Sequence, residues 1–178
     1  MAYINASTQK NRVKLLIAVY DETAHASLST SDFYSAVDAT TGAITKVSGV
    51  LEVPGLQDIT INNSNGSFRF KTLDQSGENV ITTNATNTLS GNFVLDPTTF
   101  FGTGSGTTAA GVGIFGLSNS RTQVVFMIAP SGATAGNAVL MGQGFISALA
   151  PTTSADSPIF VSPITVEVNG DYTKATTA

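Results

Sequence analysis

Ile164-Thr165-Val166-Glu167-Val168-Asn169 places apolar side chains at every second position and polar ones between them. A period of two marks a half-buried β-strand, because successive side chains leave opposite faces of the chain. Pro163 opens the run and Asn169-Gly170 closes it, as strand ends prefer. The pattern recurs in Ser67-Phe68-Arg69-Phe70-Lys71-Thr72, where the phenylalanines are expected inward and the cations outward. It recurs again in Leu89-Ser90-Gly91-Asn92-Phe93-Val94-Leu95, which Asp96-Pro97 ends.

Outward from these runs, Val13 to Tyr20, Val124 to Ile128 and Val139 to Met141 are apolar on both sides. Continuous runs of this length suit strands packed on two faces. A hairpin through residues 130–137 joins the last two, and Phe145 to Leu149 carries the second onward. The pattern breaks between Thr98 and Arg121. Gly102-Thr103-Gly104-Ser105-Gly106 reads as a loop, and Thr107 to Ser118 as one short helix with Ala109, Ala110, Ile114, Phe115 and Leu117 on its apolar side. Glycines 111, 113 and 116 cost that helix about 1 kcal/mol each against alanine. Residues 21–43 and 73–88 have few apolar anchors and read as long loops. The fold class expected is all-β, mainly an antiparallel β-sandwich or barrel, with at most one short α-helix near 107–118. One domain spanning 1–178 is expected.

Composition narrows the function. Only 11% of the 178 residues are charged, and the chain has one histidine, no cysteine and no tryptophan. A folded monomer of this mass exposes about 8,000 Å², and an ordinary soluble surface is roughly 25–35% charged. So few charges suggest that copies of the chain cover much of the surface. The open edges of a sheet pose the same need for cover. The net charge of −4 argues against binding a phosphate backbone. Lys10, Arg12 and Lys14 before Leu15-Leu16-Ile17-Ala18-Val19 imitate a signal peptide, but the apolar run is short and Asp21-Glu22 follow it; a first strand is the better reading. No stretch is long and apolar enough to cross a bilayer as a helix.

Motifs that carry chemistry are weak. Gly111-Val112-Gly113-Ile114-Phe115-Gly116 matches the dinucleotide fingerprint, yet it lacks the strand before it and the acid about 20 residues later. His25, the only imidazole, sits in an aperiodic segment and reads as a loop residue, not a base or a ligand. Asp21, Glu22, Asp32, Asp38, Glu52, Asp58, Asp74 and Glu78 are scattered over turns, without the spacing of a glycosidase pair or a calcium loop. Lys10/Arg12/Lys14 and Arg69/Lys71 lack interleaved stacking aromatics, apart from Phe68 and Phe70, which are expected to face the core, and are expected to form salt bridges between subunits. No enzyme, cofactor or metal site is expected.

Two further segments carry a likeness. Val47-Ser48-Gly49-Val50-Leu51-Glu52-Val53-Pro54-Gly55-Leu56-Gln57-Asp58-Ile59 and the closing Ser162-Pro163-Ile164-Thr165-Val166-Glu167-Val168-Asn169-Gly170, with strand, short helix and hairpin over 89–149, resemble a tail tube protein of the long-tailed bacteriophages. The resemblance implies a β-sandwich subunit in rings, expected to be hexameric, stacked into a hollow tube that delivers DNA. Its partners would be other copies of itself and other tail proteins, with genomic DNA as passing, non-specific cargo and no membrane. Its place would be the virion tail, assembled in the host cytoplasm. By analogy the inner wall comes from strands near 47–62 and 67–73, and loops 21–43 and 73–88 reach the next ring. Val50, Val53, Pro54 and Leu56, apolar around a rigid turn, are expected near an intersubunit contact. Two other classes fit the composition. One is a capsid decoration or head–tail connector protein. The other is a β-sandwich adhesin or fibre module, which would display loop aromatics such as Phe33 and Tyr34.

Overall fold

The computed structural model describes residues 13–37, 44–53, 55–73, 76–94, 96–131, 136–154 and 157–177, with the side chains of 153, 154 and 157–160 left aside. Among the described residues eleven strands form, every pairing antiparallel: β1 Lys14–Val19, β2 Tyr34–Val37, β3 Ile44–Lys46, β4 Leu51–Glu52, β5 Leu56–Phe70, β6 Asn79–Val94, β7 Gln123–Ala129, β8 Ala138–Leu149, β9 Thr152–Ser154, β10 Ser157–Val168 and β11 Thr173–Thr176. Helices α1, Pro97–Phe101, and α2, Ala109–Asn119, stand between β6 and β7. The mostly antiparallel β-fold is therefore as expected, and it is an open sheet rather than a closed barrel.

The main sheet runs β4-β1-β7-β8-β10-β6-β5, and β2 pairs with β3 separately. Its two edge strands, β4 and β5, are neighbours in sequence. Laid flat, seven strands spaced about 4.8 Å apart would hold their edges about 29 Å apart. Yet the Val53 N–H donates to the Leu15 carbonyl of β1, and the Val94 N–H of β6 donates to the Gly55 carbonyl, each at 2.9 Å. Two residues span at most about 7 Å, so the sheet has to roll. Irregular register in β5 between Leu56 and Asp58, and in β10 between Thr165 and Val166, bends strands along the way. Gly55 sits at φ 61°, a conformation that costs glycine little.

Rolling creates two cores. Inside lie Leu15, Ile17, Val53, Leu89, Phe93, Val124, Phe126, Ile128, Ile164 and Val166, roofed by Phe100, Ala109, Ile114 and Leu117 of the helices. On the other face of β1, β7 and β8, Leu16, Val125, Met127, Val139 and Met141 pack under Phe33, Tyr34 and Val50. This is why the runs 13–20, 124–128 and 139–141 are apolar on both sides. The segment 21–43, expected to be a loop, instead supplies a 3-10 turn at Thr30–Asp32 and strand β2, anchored by the buried Phe33 and Tyr34. Phe33 and Tyr34 dock it, with Leu28 and Val37 packed beside them.

The helix expected near 107–118 is present as α2, and a one-turn helix, α1, precedes it. Asp96 caps α1, its Oδ1 accepting from the Thr99 N–H at 2.8 Å, and Pro97 takes the first helical position. In α2 the chain breaks at Gly113, with φ 72° and ψ 170°. A Cβ there would strike the Gly102 nitrogen and approach Phe100 O to 2.6 Å. Phe115, expected on the apolar side of α2, points to solvent, and Ala110 is only half-buried.

Gly113→Ala is expected to cost more than the roughly 1–3 kcal/mol of a strained backbone position, because the added methyl also meets backbone that cannot move aside. Urea unfolding checks this; a loss under 0.5 kcal/mol contradicts it. Val53→Asp would bury a carboxylate in the inner core and is expected to abolish cooperative thermal unfolding.

Candidate functional site

Strand β6 outruns its neighbours. It pairs with β10 only from Val94, opposite Val161, to Asn87, opposite Val168. Beyond Asn87 its one partner among the described residues is β5, and the two continue together to Asn79 and Phe70. The eight residues 79–86 at about 3.4 Å each make an arm about 27 Å long. The segment 73–88, expected to be a loop, is thus mostly strand. Its Asn-Val-Ile-Thr-Thr-Asn-Ala-Thr sequence has no alternation to reveal it, although Thr, Val and Ile favour strands.

Register sorts the arm's side chains. Phe68 lies opposite Ile81 and Phe70 opposite Asn79 on one face; Arg69 lies opposite Val80 and Ser67 opposite Thr82 on the other. The Phe68 and Phe70 rings stack at 6.1 Å between centroids. Phe68 is 57% exposed and Ile81 53%. The alternation in 67–72 is real, but the phenylalanines face no core of their own subunit. A two-stranded ribbon exposed on both sides is marginal in water, and one with an apolar face invites cover.

The arm is held at its root. The loop 169–172 interrupts two strands, β10 and β11, that lie end to end along β8. From this loop the Gly170 carbonyl accepts from Asn87 Nδ2 at 2.8 Å, and the Tyr172 hydroxyl donates to the Thr88 carbonyl at 2.7 Å. Asn87 is buried, and its Oδ1 has no hydrogen-bond partner among the described residues. Burial pushes the Tyr172 phenol above its ordinary value. At the body end of the ribbon Asp58 accepts from Asn92, N–H to Oδ1 at 3.0 Å and Nδ2 to Oδ2 at 2.7 Å. The sequence reading did not find this clamp, because its partners are far apart in the chain.

A second exposed apolar surface lies on the helices. Phe101 is 62% exposed and Phe115 48%, with their centroids 6.1 Å apart. Phe100, beneath them, meets Phe101 edge-on at 4.9 Å. One turn along α2 from Phe115, Ser118 lines a groove with Arg121, Phe145 and Ile146.

The other expected sites resolve as structure. Val50 and Val53 are buried in the outer and inner cores respectively; Leu56 is half-buried against the inner one, and Pro54 lies outside the described residues. The glycines of 111–116 follow a loop and serve close backbone approach: a Cβ on Gly111 would strike the Ser105 carbonyl. His25 Nδ1 accepts from the Asp21 N–H at 2.8 Å, closing a turn in which Thr23 and Ala24 N–H groups donate to Asp21 Oδ1. Those bonds, the one from Ala24 first, hold the Asp21 carboxyl below its usual range. Lys14 pairs with Glu52 and Arg69 with Glu78, so the ion pairs expected between subunits form within the chain for these two; Lys71 is exposed, and Lys10 and Arg12 lie outside the described residues. Asp38 and Asp74 also lie outside them, and among the described residues no three acids or histidines gather as metal ligands. Phe33 and Tyr34, the aromatics an adhesin would display, are buried.

Tyr172→Phe is expected to remove about 0.5–1.5 kcal/mol and to speed amide exchange over 64–70 and 79–86 more than in β7. The phenol's folded value is raised, so its stabilisation is complete below the ordinary value of 10.0 and fades as pH climbs through the folded value. A spectrophotometric titration compared with that of Tyr172→Phe should show the Tyr172 phenol ionising late; a Tyr172 phenol ionising at its ordinary value contradicts it.

No protein-family model matches the chain, and no curated protein does. Solved structures do. A chain of the SPP1 tail tube superposes with a TM-score of 0.54 at 12% identity, covering 93% of this chain and 77% of that one. A chain of the native gene transfer agent virion gives 0.47 at 10% identity over 84% of this chain and all of that one. One from the sheath–tube complex of an extracellular contractile injection system gives 0.47 at 12% over 71% and 83%. The resemblance read from the sequence therefore holds at the level of the fold: this chain and the SPP1 tail tube chain share one architecture.

Proposed function

We propose that this chain is the building unit of a phage-type tail tube, a non-enzymatic structural protein that assembles into rings, hexameric and stacked, around a channel for DNA. The observation that carries the reading is the arm, a ribbon whose face of Phe68 and Ile81 is covered by none of the described residues of its own subunit. It stands on a fold shared with a tail tube chain, and few charges protect the remaining surface. Heterologous contacts between unlike patches close rings or extend stacks.

The wall of the channel is assigned to the outward face of β5 and β6. With Ile59, Ile61, Leu89 and Phe93 turned inward, the outward positions are Asp58, Thr60, Asn62, Thr88, Ser90 and Asn92. One acid among neutral hydroxyls and amides gives phosphate nothing to hold, which suits a conduit. Contact between subunits at the turn 53–56 is assigned to Leu56, since Val50 and Val53 are engaged inside the subunit. Other tail proteins meet the ends of the tube in the virion tail, after assembly in the host cytoplasm. Among the described residues no helix is long and apolar enough to cross a membrane.

Sedimentation velocity over rising concentration should show monomer giving way to large particles. The double variant Phe68→Ser, Phe70→Ser should keep the same circular dichroism and stay monomeric. Monomer at every concentration for the unmodified protein sinks the reading. Assembled particles should also fail to retain duplex DNA at about 0.15 M salt, where screening is already short-ranged; salt-dependent retention contradicts the conduit.

A further inference from the structure

We propose that Asn169-Gly170 is a site of spontaneous covalent rearrangement, where the chain closes to a succinimide and reopens as β-linked aspartate, and that the rearranged backbone loosens the root of the arm. The loop between β10 and β11 carries the inference independently of self-assembly.

The chemistry needs an asparagine side chain, a following backbone nitrogen free to attack it, and nothing bulky in the way. Glycine after asparagine meets the last need, since it has no Cβ to crowd the ring. The chain contains two such pairs, Asn65-Gly66 and Asn169-Gly170. Their settings differ. Asn65-Gly66 lies inside the paired ribbon, Asn65 opposite Ala85 and Gly66 opposite Thr83, and a Cβ on Gly66 would strike Thr83. Ring closure swings the glycine nitrogen towards the asparagine side chain, a rotation that the fixed ψ of a paired strand resists. Asn169-Gly170 lies outside the ladder: Val168 pairs with Gly144 and Thr173 with Met141, so residues 169–172 stand opposite only Gln143 and Gly142. Both residues are exposed, and a Cβ on Gly170 would meet nothing within 4 Å. The Gly170 N–H donates to no described residue.

The Gly170 nitrogen, once deprotonated, attacks Asn169 Cγ. A C–N bond forms, and the side-chain nitrogen leaves as ammonia with the proton that Gly170 gave up. Water then breaks one of the two imide C–N bonds. Attack at the former side-chain carbonyl leaves ordinary aspartate; attack at the former main-chain carbonyl leaves the chain running through Cβ, longer by an atom. That atom falls between two anchors. The Asn169 N–H donates to the Gln143 carbonyl at 2.7 Å, and the Gly170 carbonyl accepts from Asn87 Nδ2 at 2.8 Å. Lengthening the link while the first anchor holds displaces the Gly170 carbonyl from Asn87. A buried amide that loses its close acceptor is costly, and the Asn87 Oδ1 is already without a partner among the described residues. The root of the arm then opens more often.

The full chain is held in mildly alkaline buffer, sampled over days, digested and mapped, with β-linked aspartate tagged by a protein-isoaspartate methyltransferase. Conversion at Asn169 should outpace that at Asn65 several-fold and rise in proportion to hydroxide concentration. Asn65 converting as fast as Asn169, or neither converting, overturns the site. Chains carrying the β-linked form, separated by ion exchange, should exchange amides over 64–70 and 79–86 several-fold faster than unconverted chains, with β7 unchanged. Asn169→Asp supplies the new charge without the extra atom and should exchange like the original chain. Unchanged exchange in the β-linked form, or equal acceleration in Asn169→Asp, overturns the coupling to the arm.

Discussion

The structure depends on a two-residue step. Val53 is hydrogen-bonded to β1, next to one edge of the main sheet, and Gly55 to β6, next to the other, so a seven-strand path has to curl until its edges nearly meet. Curling defines an inside, and everything apolar follows from that. Leu15, Ile17, Val124, Phe126 and Ile128 turn inward, while Leu16, Val125 and Met127 of the same strands turn outward and need their own cover from β2, β3 and Phe33. Closing the edges by chain connection also removes much of the open edge that would otherwise pair with other sheets.

The same constraint isolates the arm. Strands confined to the roll are limited in useful length by the core they enclose, and β10 stops at Val168. β5 and β6 continue past it, clamped where they leave by Asn87 and Tyr172. Beyond the clamp lies surface that contributes nothing to the subunit's own core. The scarcity of charge, 11% of residues, is then a property of surfaces shaped for neighbours. Acids that remain have local work: Asp96 caps a helix, Asp58 holds Asn92, and Glu52 pairs with Lys14.

Much of the fold was legible because hydrophobic period reports burial directly. Ile164 and Val166 are buried and Glu167 exposed, as their alternation requires, and the doubly apolar runs are the strands with cores on both sides. What period cannot report is a strand with no core. Residues 79–86 looked like a loop, and Phe68 and Phe70 looked like core residues, for one physical reason: the pattern shows which side chains avoid water, not which molecule shelters them. At the apolar turn around Val53, Val50 and Val53 avoid water inside their own subunit, and no rule of spacing distinguishes that from an interface. The clamp at Asn87 joins residues about 84 positions apart and left no local signal.

The central claim is that copies of this chain shelter what the chain leaves exposed. Electron microscopy of the purified, concentrated protein tests it most directly. The expected image is a field of long hollow tubes with a regular axial repeat and sixfold end views. Discrete closed trimers, or single subunits with free arms at every concentration, would contradict it.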